Sequence, residues 1–358
     1  MSHDIPRADL RVRDGQLANE VLGGWRGLLE QGVFLDGDEV AAFERAFAGF
    51  CGVAHCIGTG SGTDALELAL RAVGLRAGDE VIVPANTFVA SALAVLRLGA
   101  VPVLVDPDPR HHLLDPIRVR ERLGPRVRAV MAVHLYGQVA PLEELLPSLE
   151  ERQVTLVEDA AQTHGATRHG RHAGGFGAVT ATSFYPTKNL GAFGTGGAVL
   201  TTRDDIAAAV RDLRSDGFTS RLDAVQAVVL RARLDRLEGD NERRAAAAAR
   251  YARLLWDMDE VQKPLVLEGN RHVWHLYVVQ VPERDRVRQQ LLEAGIDAGV
   301  HYPVPLHLHP ALRPLGHALG DFPVAEAAAD SVLSLPLHPH ITAEDQERVV
   351  DALRKALR

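Results

Sequence analysis

The sequence predicts an α/β protein: a large part built on a mostly parallel central sheet flanked by helices, then a smaller C-terminal α+β part. Three observations carry that reading. From about residue 50 to residue 202, short apolar runs alternate with helical stretches, the pattern of a sheet covered on both faces. Residues 222–258 read as long helical segments with an alanine-rich centre at Ala245–Ala249, a composition suited to a connector. Beyond them the composition changes to an alternating run, an amphipathic stretch and a Pro- and His-rich segment. The large part is therefore expected to span residues 1–240 and the small one 241–358.

Within the large part the expected strands are Val81–Val83, Val101–Asp106, Ala129–His134, Val154–Asp159 and Ala178–Phe184. Thr63–Val73 places Asp64, Glu67 and Arg71 at helical spacing, leaves the remaining positions apolar and ends at Gly74, which predicts a well-buried helix. A helix break is expected at Gly239. In the C-terminal part Val273–Val281 alternates as a strand, Arg284–Ala294 is patterned as an amphipathic helix, and HYPVPLHLHP from His301 reads as a loop.

With 358 residues, 46% of them hydrophobic, the chain can bury a sizeable core, so disorder is excluded as the default. Net charge is −8 and the arginines are dispersed rather than gathered into a basic run, which argues against a nucleic-acid partner. The opening MSHDIPRADLRVRDG lacks a signal-like apolar stretch and no apolar run is long enough to span a bilayer. The expectation is a cytoplasmic protein with no membrane partner. Cys51 and Cys56 then read as two small core residues in a reducing compartment rather than a redox pair.

Chemistry gathers in three places. Gly58-Thr-Gly-Ser-Gly-Thr-Asp64 opens the buried helix, where glycines admit an anion to free amides; alone it reads equally as a phosphate cup or a tight turn. VTLVED, ending at Asp159, puts acids at the C-terminal end of a strand, where ligands of open α/β sheets gather, although a solvated strand end looks the same. Ser183-Phe-Tyr-Pro-Thr-Lys188 ends another strand with one of only three lysines, the others being Lys263 and Lys355. A lysine can lose its proton and attack a carbonyl, which an arginine cannot. Phosphate cup, strand-end acid and nucleophilic lysine together are what pyridoxal phosphate requires. His301, His307 and His309 raise a metal alternative, but the intervening prolines and scarce acids favour a substrate-contacting or structural role. His134, His164 and His275 read as core or pocket residues.

The stretches GTGSGTDALELAL, GDEVIVPANTFVASALAV, VHLYGQ, VEDAAQTHGA, SFYPTKNLGAFGTGGAVLT, SRLDAVQA, VWHLYVV, HYPVPLHLHPAL and GDFPVAE stand in an order that resembles the DegT/DnrJ/StrS sugar aminotransferases. The resemblance runs from residue 30 onward and implies a fold type I pyridoxal-phosphate enzyme. It implies that Lys188 holds the coenzyme and moves protons and that Asp159 pairs with the pyridine nitrogen. Gln162 would bond the phenolic oxygen, Phe88 would stack on the ring, and Gly62, Thr63 and Ser183 would hold the phosphate. His301 and Tyr302 would lie close to the nucleotide sugar. Members of this family are typically homodimers with shared sites.

Two departures stand out. Thr219 occupies the position where an Asn normally reaches the partner's coenzyme phosphate, and the loop Arg214–Phe218 before it is shorter than usual. Thr195, where Asp is frequent, is a milder change. The C-terminal motifs look more like those of 3-aminotransferases, so the implied reaction is amino transfer from L-glutamate to a dTDP-3-keto-6-deoxyhexose. The alternatives are a 4-keto-sugar aminotransferase and a non-catalytic, coenzyme-binding regulatory relative. Dehydratase relatives carry His in place of Lys188, which argues against dehydration.

Overall fold

A computed structural model describes residues 4–216 and 219–358. In chain order, α1 (Gly15–Gln31) and α2 (Gly37–Cys51) precede β1 (His55–Thr59), α3 (Gly62–Ala72), β2 (Glu80–Pro84), α4 (Val89–Arg97), β3 (Val101–Val105), α5 (Pro116–Arg122), β4 (Val127–Val133), α6 (Leu146–Glu151) and β5 (Thr155–Asp159). A short hairpin of β6 (Thr167–Arg168) and β7 (Arg171–His172) leads to β8 (Val179–Ser183), β9 (Gly197–Thr201), α7 (Asp204–Asp216), α8 (Ala224–Leu234) and α9 (Leu237–Leu254). The C-terminal part holds β10 (Asn270–Arg271), β11 (Tyr277–Gln280), α10 (Arg284–Glu293), α11 (Pro323–Ser331), β12 (Val332–Leu335) and α12 (Ala343–Ala356).

Seven strands form the central sheet in the order β1-β9-β8-β5-β4-β2-β3. The run from β3 to β8 is parallel, and β9 lies antiparallel between β8 and β1. Val133 pairs with Asp159 and Asp159 with Ala181, so the C-terminal ends of β4, β5 and β8 open at one edge. Period-two alternation puts Ile57 and Val199 into one apolar core, with α3, α4 and α7. Cys56, Ala198 and Leu200 enter a second core, with α1, α2 and α8. Both cysteines are buried free thiols there.

All five expected strands form. The two that pattern reading misses, β1 and β9, are short and glycine-bearing, and β9 begins at Gly197, the last residue of a glycine-laden stretch. Three other expectations are corrected. The helix break falls at Asp235–Arg236, because buried Leu234 and Leu237 turn the chain there, while Gly239 lies within α9. Of Val273–Val281 only Tyr277–Gln280 is strand; Val273 and Leu276 instead donate their N–H groups to Gly137 and Tyr136. Arg214–Asp216 form the end of α7 rather than a loop, with Arg214 Nη1 donating to Gly58 O at 2.9 Å; Gly217 and Phe218 lie outside the described residues.

The helix expected at Thr63–Val73 is α3, and its Glu67 turns inward. Ser220 Oγ donates to Asp64 at 2.8 Å, and Glu67, 4% exposed, pairs with Arg71 at 2.7 Å and with Arg97 of α4 at 3.7 Å. In the C-terminal part, Val279 and Leu333 of the β11–β12 pair pack with Val287, Val350 and Tyr251, and Ile5 from the start of the chain joins this core. Among the described residues no helix is long and apolar enough to cross a membrane.

Candidate active site

The open edge of the sheet forms the floor of a cavity of about 500 Å³. Asp159 from the end of β5, Ser183 from the end of β8 and the first residues of α3 and α4 face it. Gly62, Thr63, Phe88, Asp159, Gln162, Ser183, Lys188, His301 and Tyr302, expected from sequence to act together, all line it. Thr219 does not; it is exposed, with φ of +43°, outside this wall.

The anion end is built by close backbone approach. Ser61 caps α3: its Oγ accepts the N–H of Asp64 at 3.1 Å and its carbonyl that of Ala65 at 3.0 Å. The N–H groups of Gly62 and Thr63 have no partner among the described residues, and at a helix N-terminus such groups are suited to bind an anion. A Cβ at Gly62 would stand 2.5 Å from Ser183 Cβ, and one at Gly197 2.4 Å from Ser61 O, so both positions require glycine. Ser183 Oγ accepts the Tyr185 N–H at 3.3 Å and keeps its own hydrogen for a phosphate oxygen.

Lys188 sits at the far wall. Its N–H donates to Tyr185 O at 2.8 Å, and the next residue, Asn189, is locked in a buried amide network. Asn189 Nδ2 donates to Asn241 Oδ1 at 2.8 Å and Val273 O at 2.9 Å, and its Oδ1 lies 3.2 Å from His275 Nδ1. The Lys188 amine makes no hydrogen bond or ion pair to the described residues. Burial pushes its pKa down to about 8, against the opposing pull of Asp159. Burial raises the Asp159 carboxyl, a rise tempered by the Ala161 N–H on Oδ1 at 3.1 Å, Ser91 Oγ on Oδ2 at 2.9 Å and the charge of Lys188. Tuned lysine and carboxylate facing one cavity mark a reactive site.

Gln162 has its amide orientation set by the backbone. Tyr136 N–H donates to Oε1 at 2.6 Å, so the NH2 must face the cavity, where one hydrogen reaches Tyr302 Oη at 3.0 Å and the other is free. Tyr136 Oη in turn donates to His301 O at 2.5 Å, tying β4's exit loop to the His301–Tyr302 segment. Phe88, 52% exposed, flanks the opening with its ring 5.5 Å from that of Tyr302. Pattern reading does not single out Tyr136, Asn189 or Ser91; their hydrogen bonds run between segments distant in sequence.

Glu158, the neighbour of Asp159, points to the opposite face and is structural. Burial alone would raise its pKa, but His134 Nε2 at 2.8 Å and the N–H groups of Gly174 and Gly177 hold it below the ordinary range. His134 Nδ1 accepts the Ala140 N–H at 3.1 Å, so the Nε2 proton is the one shared with Glu158. Glu158→Ala strands these buried donors and is expected to lower stability by about 3–5 kcal/mol, read as a fall in the urea midpoint. The loop histidines are each engaged separately: His301 with Ser334 Oγ at 2.8 Å, His307 with Glu326 at 2.8 Å, and His309 with the Ala311 N–H at 3.2 Å. Among the described residues no group of three could hold a metal ion.

The sequence model of the DegT/DnrJ/EryC1/StrS aminotransferase family matches residues 16–354. The chain belongs to that family. The aminotransferase is 43% identical, over 98% of its length and 96% of the relative's, to dTDP-3-amino-3,4,6-trideoxy-alpha-D-glucose transaminase of Streptomyces venezuelae. It is 42% identical, over 98% and 99%, to the erythromycin biosynthesis sensory transduction protein EryC1 of Saccharopolyspora erythraea. Its fold superposes on S. venezuelae DesV, solved in complex with a ketimine intermediate, with a TM-score of 0.95 and 42% identity over the whole of both chains. The family's coenzyme is pyridoxal 5′-phosphate, and the aminotransferase's cavity fits it: free amides and a hydroxyl at one end, a carboxylate on the floor, a half-buried amine without a partner among the described residues at the wall.

Proposed function

We propose that this chain transfers an amino group from L-glutamate to the keto carbon of a nucleotide-linked 3-keto-deoxyhexose, with a dTDP-3-keto-6-deoxyhexose as the preferred class. The observation that carries the reading is the convergence of Lys188, Asp159 and the Gly62–Thr63 cup on one cavity, in a chain whose relatives include 3-amino-sugar transaminases. When bound, pyridoxal 5′-phosphate supplies an electron sink next to the carbon that exchanges its proton.

The chain's residues do the rest. Lys188 is the residue that would hold the coenzyme covalently, and its amine, with a pKa of about 8, is suited to accepting and returning a proton in both halves of the reaction. Asp159 would face the pyridine nitrogen and favour its protonated form. Gly62, Thr63 and Ser183 hold the phosphate, Gln162 offers its free hydrogen to the phenolic oxygen, and Phe88 covers the ring. His301 and Tyr302 orient the sugar at the mouth. Thr219 lies outside the cavity of its own chain, as a residue delivered to a partner's phosphate would, which supports a homodimer with shared sites. The division into a large part, 1–240, and a small part, 241–358, completes the reading.

The test is the reverse reaction with 2-oxoglutarate on a panel of dTDP- and UDP-linked 3-amino and 4-amino sugars. Turnover of the 3-amino set is expected; turnover confined to the 4-amino set would overturn the regiochemistry. The name of one relative, a sensory transduction protein, keeps a regulatory reading in view. Glutamate changing the absorption spectrum of the purified yellow protein would exclude a purely non-catalytic role.

A further inference from the structure

The first turn of α4 contains a feature that the roles above do not use. Thr87, Ser91 and Asp159 are buried, at 3%, 0% and 6% exposure, and their side chains form a line. Thr87 Oγ1 lies 3.2 Å from Ser91 Oγ, and Ser91 Oγ lies 2.9 Å from Asp159 Oδ2. An ionised carboxylate only accepts, so the single hydrogen of Ser91 is spent on Asp159. Thr87 must then be the donor to Ser91. The chain therefore runs Thr87 to Ser91 to Asp159, each hydroxyl polarising the next. The other carboxylate oxygen, Oδ1, is taken by the Ala161 N–H at 3.1 Å.

We infer that Ser91, backed by Thr87, is a positioning residue that keeps Asp159 ionised and aimed at the pyridine nitrogen of the coenzyme. The same helical turn starts at Phe88, whose carbonyl accepts the Ser91 N–H at 3.1 Å. Ring cover and carboxylate clamp thus sit on one rigid element, and thermal movement of one carries the other with it. The burial that pushes Asp159 toward its neutral form makes such a donor necessary: a hydrogen bond to the charged form offsets desolvation. The remaining charged or titratable groups facing Asp159 are Lys188, which favours ionisation, His134, already engaged by Glu158, and Tyr302, whose hydroxyl burial keeps protonated. None of these replaces a donor on Oδ2.

The inference rests on the proposed role of Asp159, and its test separates the two. The dissociation constant of pyridoxal 5′-phosphate is measured on the apo forms of wild type, Ser91→Ala, Ser91→Thr, Thr87→Val and Asp159→Asn, from mildly acidic to neutral pH. Ser91→Ala is expected to weaken affinity by about ten- to a hundredfold, the loss of one hydrogen bond to a charged group. It also raises the pH at which affinity is lost, because a carboxylate without its donor protonates earlier. Ser91→Thr restores both, and Thr87→Val shifts the acid limb the same way by less. An unmoved acid limb in Ser91→Ala, or equal weakening at every pH, overturns the inference. If Ser91→Ala fails to fold by circular dichroism, the Thr87→Val limb decides alone. An Asp159→Asn protein with wild-type affinity and pH profile would instead overturn the role of Asp159 itself.

Discussion

Lys188→Ala and Lys188→Arg are expected to abolish transamination, with kcat falling by about 10⁴-fold or more. Alanine removes the nucleophile and the proton carrier together. Arginine retains the charge but stays protonated at any accessible pH, so it can neither attack the coenzyme nor accept a proton. The cavity wall behind the side chain is held by Asn189, Asn241 and His275, so both variants should keep the fold and still bind coenzyme non-covalently through the Gly62–Thr63 cup. Steady-state kinetics with glutamate and a 3-keto sugar nucleotide check this; near-normal turnover by either variant contradicts the assignment. A pH signature accompanies it. The neutral amine is the reactive form, and burial lowers its pKa from 10.5 to about 8. The rate of covalent coenzyme capture by the apoenzyme should therefore rise with pH, flatten above about 8 and not continue climbing toward the ordinary lysine range.

Asp159→Asn should be the second largest loss, about 10²–10³-fold in kcat, the scale of removing one preorganised electrostatic contact at the reacting system. The amide keeps the shape, with its oxygen accepting the Ala161 N–H and its NH2, in the place of Oδ2, donating to Ser91 Oγ, but it carries no charge to hold a proton on the pyridine nitrogen. Because the sugar is assigned to His301 and Tyr302 rather than to Asp159, KM for the sugar nucleotide should change far less than kcat. A variant that loses sugar affinity while keeping kcat would mean that Asp159 serves the substrate and not the coenzyme.

Much of this site is legible in the chain because its residues stand at strand ends. Apolar runs such as VTLVED and the one ending at Ser183 announce parallel strands, and whatever follows them must gather at one edge of the sheet. That logic brings together Asp159, Ser183, Lys188 and the glycine turn before α3, which are far apart in sequence. It does not reach β1 and β9, whose glycines serve close approaches, Gly58 to Leu222 and Gly197 to Ser61, and weaken the strand pattern. Nor does it reveal that α3 turns Glu67 inward to Arg71 and Arg97, since a helical stripe of charges looks the same whether it meets water or another helix. Ser91, Tyr136 and Asn189 were invisible for a related reason. A serine in ASALAV or a tyrosine in HLYG carries no local pattern; its meaning comes from a carboxylate, an amide or a carbonyl more than twenty residues away.

The central claim is that one lysine in this chain forms the covalent bond with pyridoxal 5′-phosphate. Only three lysines exist, and they are well separated at 188, 263 and 355. Borohydride reduction of the yellow holoenzyme followed by peptide mass spectrometry reads the answer directly. The account predicts the reduced coenzyme on the peptide containing Lys188, and on neither of the others; coenzyme on Lys263 or Lys355, or on no lysine at all, would contradict it.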